Sequence, residues 1–268
     1  MTAAPLLSVR GLCKTFHSDD SATVAANHVD LTIRPGEIVG LVGESGSGKS
    51  TIANILLGLL EPDSGEIDYD EKPLADWLRR GRKAYRAGVQ AVFQQPLLAL
   101  DRRRTVGWSV AEPLVIHGTT SAAERSRRVL ELLESVGLDP ALADRRPAEL
   151  SGGQLQRVNI ARALAPEPRL LICDEAVSAL DVSVQAQIID LFLDVQERLG
   201  VAMLFISHNM AVVRHISDSI VVMYHGDVVE SGPTDQVCDA PQSGYARQLM
   251  NSWLDPTVPA RGADDKSP

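Results

Sequence analysis

The sequence predicts an α/β protein whose sheet is mostly parallel. Short apolar runs typical of buried strands recur at "IVGLVG" from Ile38, "RLLICDEA" from Arg169 and "VAMLFISHN" from Val201. Segments with helical spacing of apolar residues separate these runs, and strand–helix alternation indicates parallel crossovers. A helix-rich stretch from Leu97 to about Ala165 interrupts the alternation.

The part of the chain before this stretch predicts mainly strands. Alternating apolar and polar residues favour strands in Leu6–Phe16 and Asn27–Ile33, ahead of the apolar run from Ile38. A helix is expected at Ser50–Leu60, followed by a polar, turn-rich edge hairpin at Glu61–Leu74. Another strand is expected just before Pro96, within "GVQAVFQQP".

Capping signals mark a helix inside the interrupting stretch. Ser121 and Glu124 have capping-box spacing, and Gly137 stands where a helix C-terminus is expected. A further helix is expected at Val184–Leu199, and strands return in "DSIVVMYHGDVVESG". We therefore expect one domain over residues 1–253, with a helical subdomain at about 97–165 and a disordered tail at 254–268.

Composition restricts the class of protein. The net charge is −9 and the isoelectric point is near 5.2, whereas a general nucleic-acid binder is typically basic. The longest apolar run, Ile55–Leu60, is far shorter than the roughly 20 residues that span a bilayer, and the N-terminus does not resemble a signal peptide. Cys13, Cys173 and Cys238 are too few and too scattered for a disulfide framework or a zinc site. These features indicate a cytoplasmic location with reduced thiols.

A glycine-rich segment after the strand at Ile38 predicts phosphate binding. "GESGSGKST" fits the phosphate-loop pattern and comprises Gly43, Glu44, Ser45, Gly46, Ser47, Gly48, Lys49, Ser50 and Thr51. The glycines allow successive backbone N–H groups to surround phosphate oxygens. The Lys49 ammonium would lie between the β- and γ-phosphates, and the Ser50 hydroxyl would bind Mg²⁺.

Two adjacent carboxylates end a predicted buried strand. Asp174 suits Mg²⁺ through a water molecule, and Glu175 suits a general base that polarises the attacking water. The alternative is a solvated strand end without a catalytic role. Beside a phosphate loop the catalytic interpretation is favoured, because adjacent carboxylates at a buried strand end are costly unless they are used.

Two other polar side chains follow predicted strands. His208 comes after the run from Val201 and is assigned to the γ-phosphate, because parallel strand ends face one ligand crevice. Gln94 also ends a strand, where its amide could reach Mg²⁺ and water. The remaining alternative is that both are structural, which is the role we assign to His28, His117, His215 and His225.

A second glycine pair follows a serine at Leu150–Arg157, "LSGGQLQR", where a helical pattern begins. A helix start of this kind is a second candidate anion site, although the chain already has a phosphate loop. The order and spacing of "GESGSGKST", "VFQQP", "LSGGQLQR", "LLICDEAVSALD" and "ISHNM" resemble those of ABC-transporter ATP-binding subunits, over about Leu6 to Trp253.

The resemblance implies a P-loop NTPase core with an antiparallel β edge subdomain and an inserted α-helical signature subdomain. It implies ATP and Mg²⁺ as ligands, ATP hydrolysis, and a place at the cytoplasmic face of the membrane on permease subunits, with a solute-binding protein acting indirectly. By the same resemblance Phe16 stacks on adenine, Gln94 is the Q-loop glutamine, Asp181 the D-loop aspartate and His208 the switch histidine.

The resemblance also explains the second anion site. In this family two subunits pack head to tail, and each ATP lies between the phosphate loop of one and the signature of the other. Ser151, Gly152, Gly153 and Gln154 would therefore serve a nucleotide held by a second ATP-binding subunit, identical or different.

The segments "PAELSGGQLQRVNIARAL" and "GPTDQVCDAPQSGYARQLM" resemble the ATPases of dipeptide, oligopeptide and nickel importers. This chain departs from them at Arg103, Arg146, Ala148, Ala176 and Asn209, none of which is an assigned catalytic group. Some relatives bind an iron–sulfur cluster near the C-terminus, but Cys238 alone supplies too few thiolates, so we expect none.

Two other functions remain open at this point. A soluble ABC ATPase acting on nucleic acid or ribosomes is disfavoured by the short interval between the two loops and by the single cassette. A nucleotide-binding module without turnover is disfavoured because Lys49, Asp174, Glu175 and His208 are all present. The sequence does not identify the solute or decide between a homodimer and a heterodimer.

Overall fold

The computed structural model describes residues 4–18, 21–118 and 121–254. The strands in this part of the chain are β1 (Leu7–Ser18), β2 (Ser21–Ile33), β3 (Ile38–Val42), β4 (Ser64–Tyr69), β5 (Lys72–Pro73), β6 (Val89–Phe93), β7 (Leu170–Asp174), β8 (Ala202–Ile206), β9 (Ser219–Tyr224) and β10 (Asp227–Pro233). The helices are α1 (Lys49–Leu56), α2 (Leu74–Arg80), α3 (Arg82–Gly88), α4 (Val106–Ile116), α5 (Ala122–Ser135), α6 (Gly152–Leu164), α7 (Val182–Leu199), α8 (Met210–Ile216), α9 (Thr234–Asp239) and α10 (Gly244–Leu254). Short 3-10 helices lie at Pro96–Leu98, Pro140–Asp144 and Pro147–Glu149.

The strands form two sheets. The larger sheet has the order β10-β9-β3-β8-β7-β6, and all its neighbouring strands are parallel except β9 and β10. The smaller sheet is antiparallel, with the order β2-β1-β4-β5. The predicted α/β class with a mostly parallel sheet and an antiparallel edge unit is confirmed.

Both faces of the parallel sheet are covered, which explains the unbroken apolar runs. Along β7, Leu171 and Cys173 belong to a core shared with α4 to α8, whereas Leu170 and Ile172 belong to a second core with α1 and the antiparallel sheet. All four side chains are fully buried. The period of two in a strand thus divides one apolar run between two cores.

The helix-rich stretch contains α4, α5 and α6, and its capping prediction is largely confirmed. Ser121 accepts a hydrogen bond from the backbone N–H of Glu124 at 3.3 Å, as an N-cap does. Gly137 has φ +71° just after α5, in the left-handed conformation that ends many helices. The extent of the helical subdomain, 97–165, stays a prediction.

Two expectations from the sequence need correction or qualification, and two helices were missed. The helix predicted at Ser50–Leu60 begins at Lys49 and ends at Leu56, because Gly58 adopts φ +65° and the N–H groups of Leu59 and Leu60 turn back to Asn54. Helices α2 and α3 were not predicted. The expected tail lies outside the described residues except for Leu254, the last residue of α10.

Aromatic packing holds the C-terminal end of α1. The ring of Tyr85 packs edge-on to Tyr69, with centroids 5.2 Å apart, and Trp77 lies 5.8 Å from Tyr69. The buried Tyr85 hydroxyl donates a hydrogen bond to the carbonyl of Leu56, one of the last carbonyls of α1. Because α1 begins at the phosphate loop, this contact fixes the far end of the helix that carries the loop.

We expect Tyr85→Phe to lower the free energy of unfolding by about 1–2 kcal/mol, because the buried Leu56 carbonyl loses its side-chain donor. Urea unfolding would measure the change. Tyr69→Phe is the control, since that hydroxyl makes a longer, 3.3 Å bond to a partly buried carbonyl. A loss for Tyr85→Phe no larger than for Tyr69→Phe would contradict the assignment.

Candidate nucleotide site

The register of the parallel sheet gathers the predicted polar residues at one edge. Phe93 lies opposite Asp174, and Asp174 lies opposite Ile206. Gln94, Glu175 and the segment leading to His208 therefore leave adjacent strands at the same level. The phosphate loop leaves β3 at this edge too, because Leu41 lies opposite Ile206. This is the carboxyl edge, where open α/β sheets bind ligands.

The phosphate loop approaches other backbone segments too closely for side chains. A Cβ on Gly48 would lie 1.9 Å from the carbonyl oxygen of Ala25, and one on Gly43 would lie 2.2 Å from that of Met223. Both glycines have positive φ, +105° and +150°. Within the described part of the chain no side chain caps α1 at Gly48, so the first N–H groups of the helix are available to an anion.

Lys49 is nearly buried and its ammonium is held by the loop itself. Its Nζ donates to the carbonyls of Gly43 at 2.8 Å and Glu44 at 2.7 Å, and to the Ser47 hydroxyl at 3.3 Å. Burial lowers the pKa of Lys49, and the nearby carboxylates of Glu175 and Asp174 oppose this shift. The ammonium therefore lies at the loop in a poorly hydrated setting, where a phosphate would be a strong partner.

Asp174 is placed beside the loop with one oxygen unsatisfied. Burial raises the pKa of Asp174, a hydrogen bond from the Ser50 hydroxyl opposes the rise, and the charge of Glu175 adds to it. Its Oδ1 is buried and has no hydrogen-bond partner among the residues that the structure describes. An unpaired carboxylate oxygen next to a hydroxyl is a donor set that suits Mg²⁺ or a water bound to it.

Glu175 and His208 contact each other directly. The imidazole Nδ1 lies 2.9 Å from Glu175 Oε1, and the histidine side chain is 63% exposed while that of glutamate is 22% exposed. Glu175 has φ +53°, which is uncommon for a residue other than glycine. The backbone is held in this turn because Glu175 N–H donates to Ile206 O and the Ser178 N–H and hydroxyl donate to Glu175 O.

A cavity of about 680 Å³ opens beside Ser50, Asp174 and Glu175, whereas Lys49 and His208 are not among its lining residues. Its lining residues are Ser50, Phe93, Gln94, Gln95, Ala99, Arg162, Asp174 and Glu175. A larger groove of about 880 Å³ lies between α1, β4 and α2, and none of the predicted site residues lines it. The smaller cavity is the candidate site because the carboxylates and the Ser50 hydroxyl converge there.

Comparison with known proteins identifies the family. The sequence model described as ABC transporter matches residues 26–178. The chain belongs to the ABC transporter family. The expected resemblance is thus confirmed, and none of the comparisons favours the nucleic-acid or ribosome alternative.

Two relatives show where in the family the similarity lies. A putative peptide import ATP-binding protein of Brucella abortus is 44% identical over 261 residues, which are 97% of this chain and 82% of that protein. The glutathione import ATP-binding protein GsiA of Salmonella typhi is 48% identical over 254 residues, 92% of this chain but 41% of that longer protein.

Solved structures share the fold. A dimeric ATP-binding cassette in a post-hydrolysis state, bound to ADP and Pi, superposes with a TM-score of 0.77 at 33% identity and covers 85% of this chain and 98% of its own. The protein cbiO1 of Clostridium perfringens, part of an ABC transporter complex, superposes with a TM-score of 0.79 at 31% identity. The match covers 88% of this chain and 91% of cbiO1. The P-loop NTPase cassette fold and an ATP-hydrolysing activity are therefore established by family.

The signature of this cassette does not line the cavity. Ser151 caps α6 in a capping box: its hydroxyl accepts from Gln154 N–H at 3.3 Å, and Gln154 Oε1 accepts from Ser151 N–H at 2.9 Å. A Cβ on Gly153 would lie 2.6 Å from Val184 at the start of α7. Ser151 and Gly152 are exposed. The side chain of Gln154 thus positions Ser151, and the serine hydroxyl proton remains available.

Two other predicted ligands also lie outside the cavity. Asp181 caps α7, accepting from Val184 N–H at 2.9 Å and from the Ser183 hydroxyl at 2.8 Å. Phe16 lies on β1 in the antiparallel sheet; the residue is 44% exposed, and the Lys14 ammonium lies 5.8 Å from the ring centroid. An exposed aromatic face is suited to stacking a base.

Two residues near the site were not anticipated. Arg162 of α6 lines the cavity and pairs with Glu112 at 2.8 Å. The Tyr245 hydroxyl of α10 accepts a hydrogen bond from the backbone N–H of Glu44 in the phosphate loop at 3.2 Å. The sequence held no signal for the second contact, because it depends on how the last helix packs.

If Phe16 stacks on adenine, Phe16→Ala should weaken ATP binding by about 1–3 kcal/mol, the range measured for base–aromatic stacking. GTP should compete with ATP in the parent protein, because stacking does not read base edges. Calorimetric titration of both nucleotides would measure this. Tyr224→Phe, which keeps the ring of another aromatic side chain near the loop, is the control; an unchanged affinity for Phe16→Ala would leave Phe16 a structural residue.

Proposed function

We propose that this chain is the ATP-hydrolysing subunit of a peptide importer and that it acts as one half of a head-to-tail ATPase dimer. The observation that carries the proposal is the position of Glu175. The backbone turns at this residue, directly after Asp174 at the end of β7, and the Glu175 carboxylate contacts His208 at 2.9 Å. A cavity large enough for a phosphate chain adjoins it.

Binding would use the loop and its lysine. The N-terminus of α1 and the loop N–H groups other than those of Glu44 and Ser47, which donate to Tyr245 and to the Glu44 carbonyl, would surround the β-phosphate. Lys49 would exchange part of its contact with the Gly43 and Glu44 carbonyls for contact with phosphate oxygens. The exchange is favourable because the ammonium then bonds to an anionic phosphate oxygen instead of a neutral carbonyl.

Ser50, Asp174 and Gln94 would hold Mg²⁺, directly or through water. Two features of Asp174 support this: among the described residues its Oδ1 has no hydrogen-bond partner, and its carboxylate accepts a hydrogen bond from the Ser50 hydroxyl. Gln94 lines the same cavity. When bound, Mg²⁺ would neutralise charge on the phosphates.

Hydrolysis would depend on Glu175 and His208 as a pair. The carboxylate would polarise the attacking water, and the imidazole would hold the carboxylate in position through Nδ1. Because Nδ1 contacts Glu175, Nε2 is the ring nitrogen that would face the γ-phosphate.

A second subunit would complete each site. The signature residues Ser151 to Gly153 do not line this cavity and stand at the start of a helix, so they suit the γ-phosphate of a nucleotide on a partner. Beside them, Val182 at the start of α7 is 84% exposed, next to Asp181. Ser151, Gly152 and Val182 are all exposed, so this surface is accessible to a partner subunit.

Peptide import is supported by the names of relatives that match 97% and 92% of this chain, one for peptides and one for glutathione, itself a peptide. Among the described residues no helix combines the length and apolar character needed to cross a membrane. The proposed subunit would be held at the cytoplasmic face by permease subunits, and a solute-binding protein would deliver the peptide.

We expect Lys49→Ala to abolish hydrolysis and to weaken ATP binding, because it removes the ammonium of the phosphate loop. Phosphate release by the purified transporter complex would measure turnover. Lys83→Ala, on exposed α3, is the matched control and should keep the parent rate. Undiminished turnover in Lys49→Ala would refute the phosphate-loop assignment.

Glu175→Gln should bind Mg-ATP without hydrolysing it and should accumulate as a closed dimer. Glutamine keeps the shape and accepts from His208 but cannot take the proton from water, and losing a general base costs about 10²- to 10⁴-fold in rate. Removing one negative charge near the γ-phosphate also favours the ATP-bound state. Size-exclusion chromatography with and without Mg-ATP would detect the dimer.

Ser151→Arg on the same chain should prevent this trapping, because a bulky cation would block the partner's γ-phosphate position. Glu167→Gln, before the amino end of β7, is the matched charge control and should neither trap a dimer nor slow hydrolysis. If the cassette pairs with a different ATPase subunit, that subunit is added to the sample. Parent-rate hydrolysis by Glu175→Gln, or no dimer with any candidate partner, would disprove the role of Glu175.

A further inference from the structure

The C-terminal helix α10 touches the phosphate loop through one side chain. Tyr245, near the start of α10, accepts a hydrogen bond on its hydroxyl from Glu44 N–H at 3.2 Å, although 201 positions separate the two residues. The contact joins the last helix of the described chain to the loop that would carry the nucleotide.

The start of α10 is firmly anchored. Ala246 is fully buried and Met250 is 3% exposed, and both belong to the core on the helical side of the sheet. Glu230 accepts from the N–H groups of Gln242 and Ser243, each at 2.8 Å. The Ser243 hydroxyl in turn accepts from Ala246 N–H at 2.9 Å. These contacts fix the start of α10 and, with it, the position of the Tyr245 backbone relative to the phosphate loop.

A second contact braces the Tyr245 ring. Its centroid lies 4.3 Å from that of Tyr224, with an angle of 36° between the planes. Tyr224 ends β9, and two residues later Gly226 N–H donates to the carbonyl of Ser47 in the phosphate loop at 3.1 Å. The ring thus packs on a turn that is itself bonded to the loop.

Tyr245 and Lys49 hold opposite ends of one peptide group. The peptide between Gly43 and Glu44 presents its carbonyl oxygen to Lys49 Nζ at 2.8 Å and its N–H to the Tyr245 hydroxyl at 3.2 Å. Because a peptide group is planar, fixing the N–H fixes the direction of the carbonyl. The orientation that Tyr245 imposes is therefore the one that places Lys49.

We propose that Tyr245 is a positioning residue for ATP binding: it fixes the Gly43–Glu44 peptide and through it the Lys49 ammonium. The proposal rests on the proposed role of Lys49 as a phosphate ligand. Tyr245 contacts the loop backbone through Glu44 and is not among the residues that line the cavity beside Asp174 and Glu175. Without the Tyr245 hydroxyl, the loop is less ordered before ATP binds. Binding must then order the loop, and the free-energy cost of that ordering weakens the affinity for ATP.

Tyr245→Phe should weaken ATP binding by the full-length chain about three- to tenfold, the loss typical of one hydrogen bond. In the transporter complex the KM for ATP should rise by a similar factor while kcat stays within about twofold, because Glu175 and His208 are untouched. The phenylalanine ring keeps the packing on Tyr224. Tyr224→Phe is the matched control, since in the described part of the chain its hydroxyl makes no hydrogen bond, and its affinity should equal the parent's.

Glu44→Pro tests the same contact from the other side, because proline has no N–H. If the contact sets affinity, Glu44→Pro weakens ATP binding, and adding Tyr245→Phe to it changes affinity no further. Unchanged affinity in Tyr245→Phe, fully additive losses in the double variant, or a fall in kcat with KM unchanged would each overturn the proposal. Nucleotide-free melting temperatures of the variants exclude a loss of fold as the cause.

Lys49→Ala distinguishes the phosphate-loop assignment from the positioning role of Tyr245. If Lys49→Ala retains ATP binding, the phosphate-loop assignment is disproved. If Lys49→Ala loses ATP binding while Tyr245→Phe keeps the parent's affinity, only the positioning role of Tyr245 is disproved.

Discussion

A nearly buried ammonium at the carboxyl edge of the sheet is the constraint on which the site depends. Removing Lys49 from water disfavours its charge, and the burial lowers its pKa. The loop offsets the lost hydration with two of its own carbonyls and one hydroxyl. The loop can adopt this conformation because Gly48 and Gly43 pack directly against the backbone carbonyls of Ala25 and Met223, where a side chain would not fit. The phosphate loop therefore packs tightly against strand β2 and the end of β9. This packing keeps the Lys49 ammonium in place to bind an anion.

The two neighbouring carboxylates differ because the backbone separates them. Asp174 is still in β7 and stays in line with the strand, near Ser50, with one oxygen unpaired. Glu175 has already turned to φ +53°, which directs its carboxylate to His208 on the neighbouring strand end. A conformation of this kind costs roughly 1–3 kcal/mol and persists only where surrounding bonds enforce it. Consecutive residues can therefore take different roles in one reaction, with Asp174 suited to the cation and Glu175 to water.

What the sequence predicted well was what local patterns determine. The strands β3, β7 and β8 follow from apolar runs that must be covered on both faces, and the start of α5 follows from Ser121. Helices α2 and α3 were missed because seven-residue segments rich in arginine show little apolar periodicity, and only Leu74 and Tyr85 are buried in them. The contact between Glu175 and His208 and that between Tyr245 and Glu44 could not be predicted, since both arise from the packing of distant segments.

Helix α6 joins the signature of this subunit to its own catalytic turn. At its N-terminus Ser151 and Gly152 are exposed, while one turn later the Gln156 amide, itself buried, donates to the carbonyl of Ala176 at 2.7 Å, the residue after Glu175. In the proposed dimer the signature contacts the partner's nucleotide and Glu175 acts on the subunit's own. The helix that begins at the signature is therefore bonded, within the core, to the residue that follows Glu175. A direct hydrogen bond rather than a flexible loop fixes the position of α6 relative to the turn that carries the catalytic carboxylate.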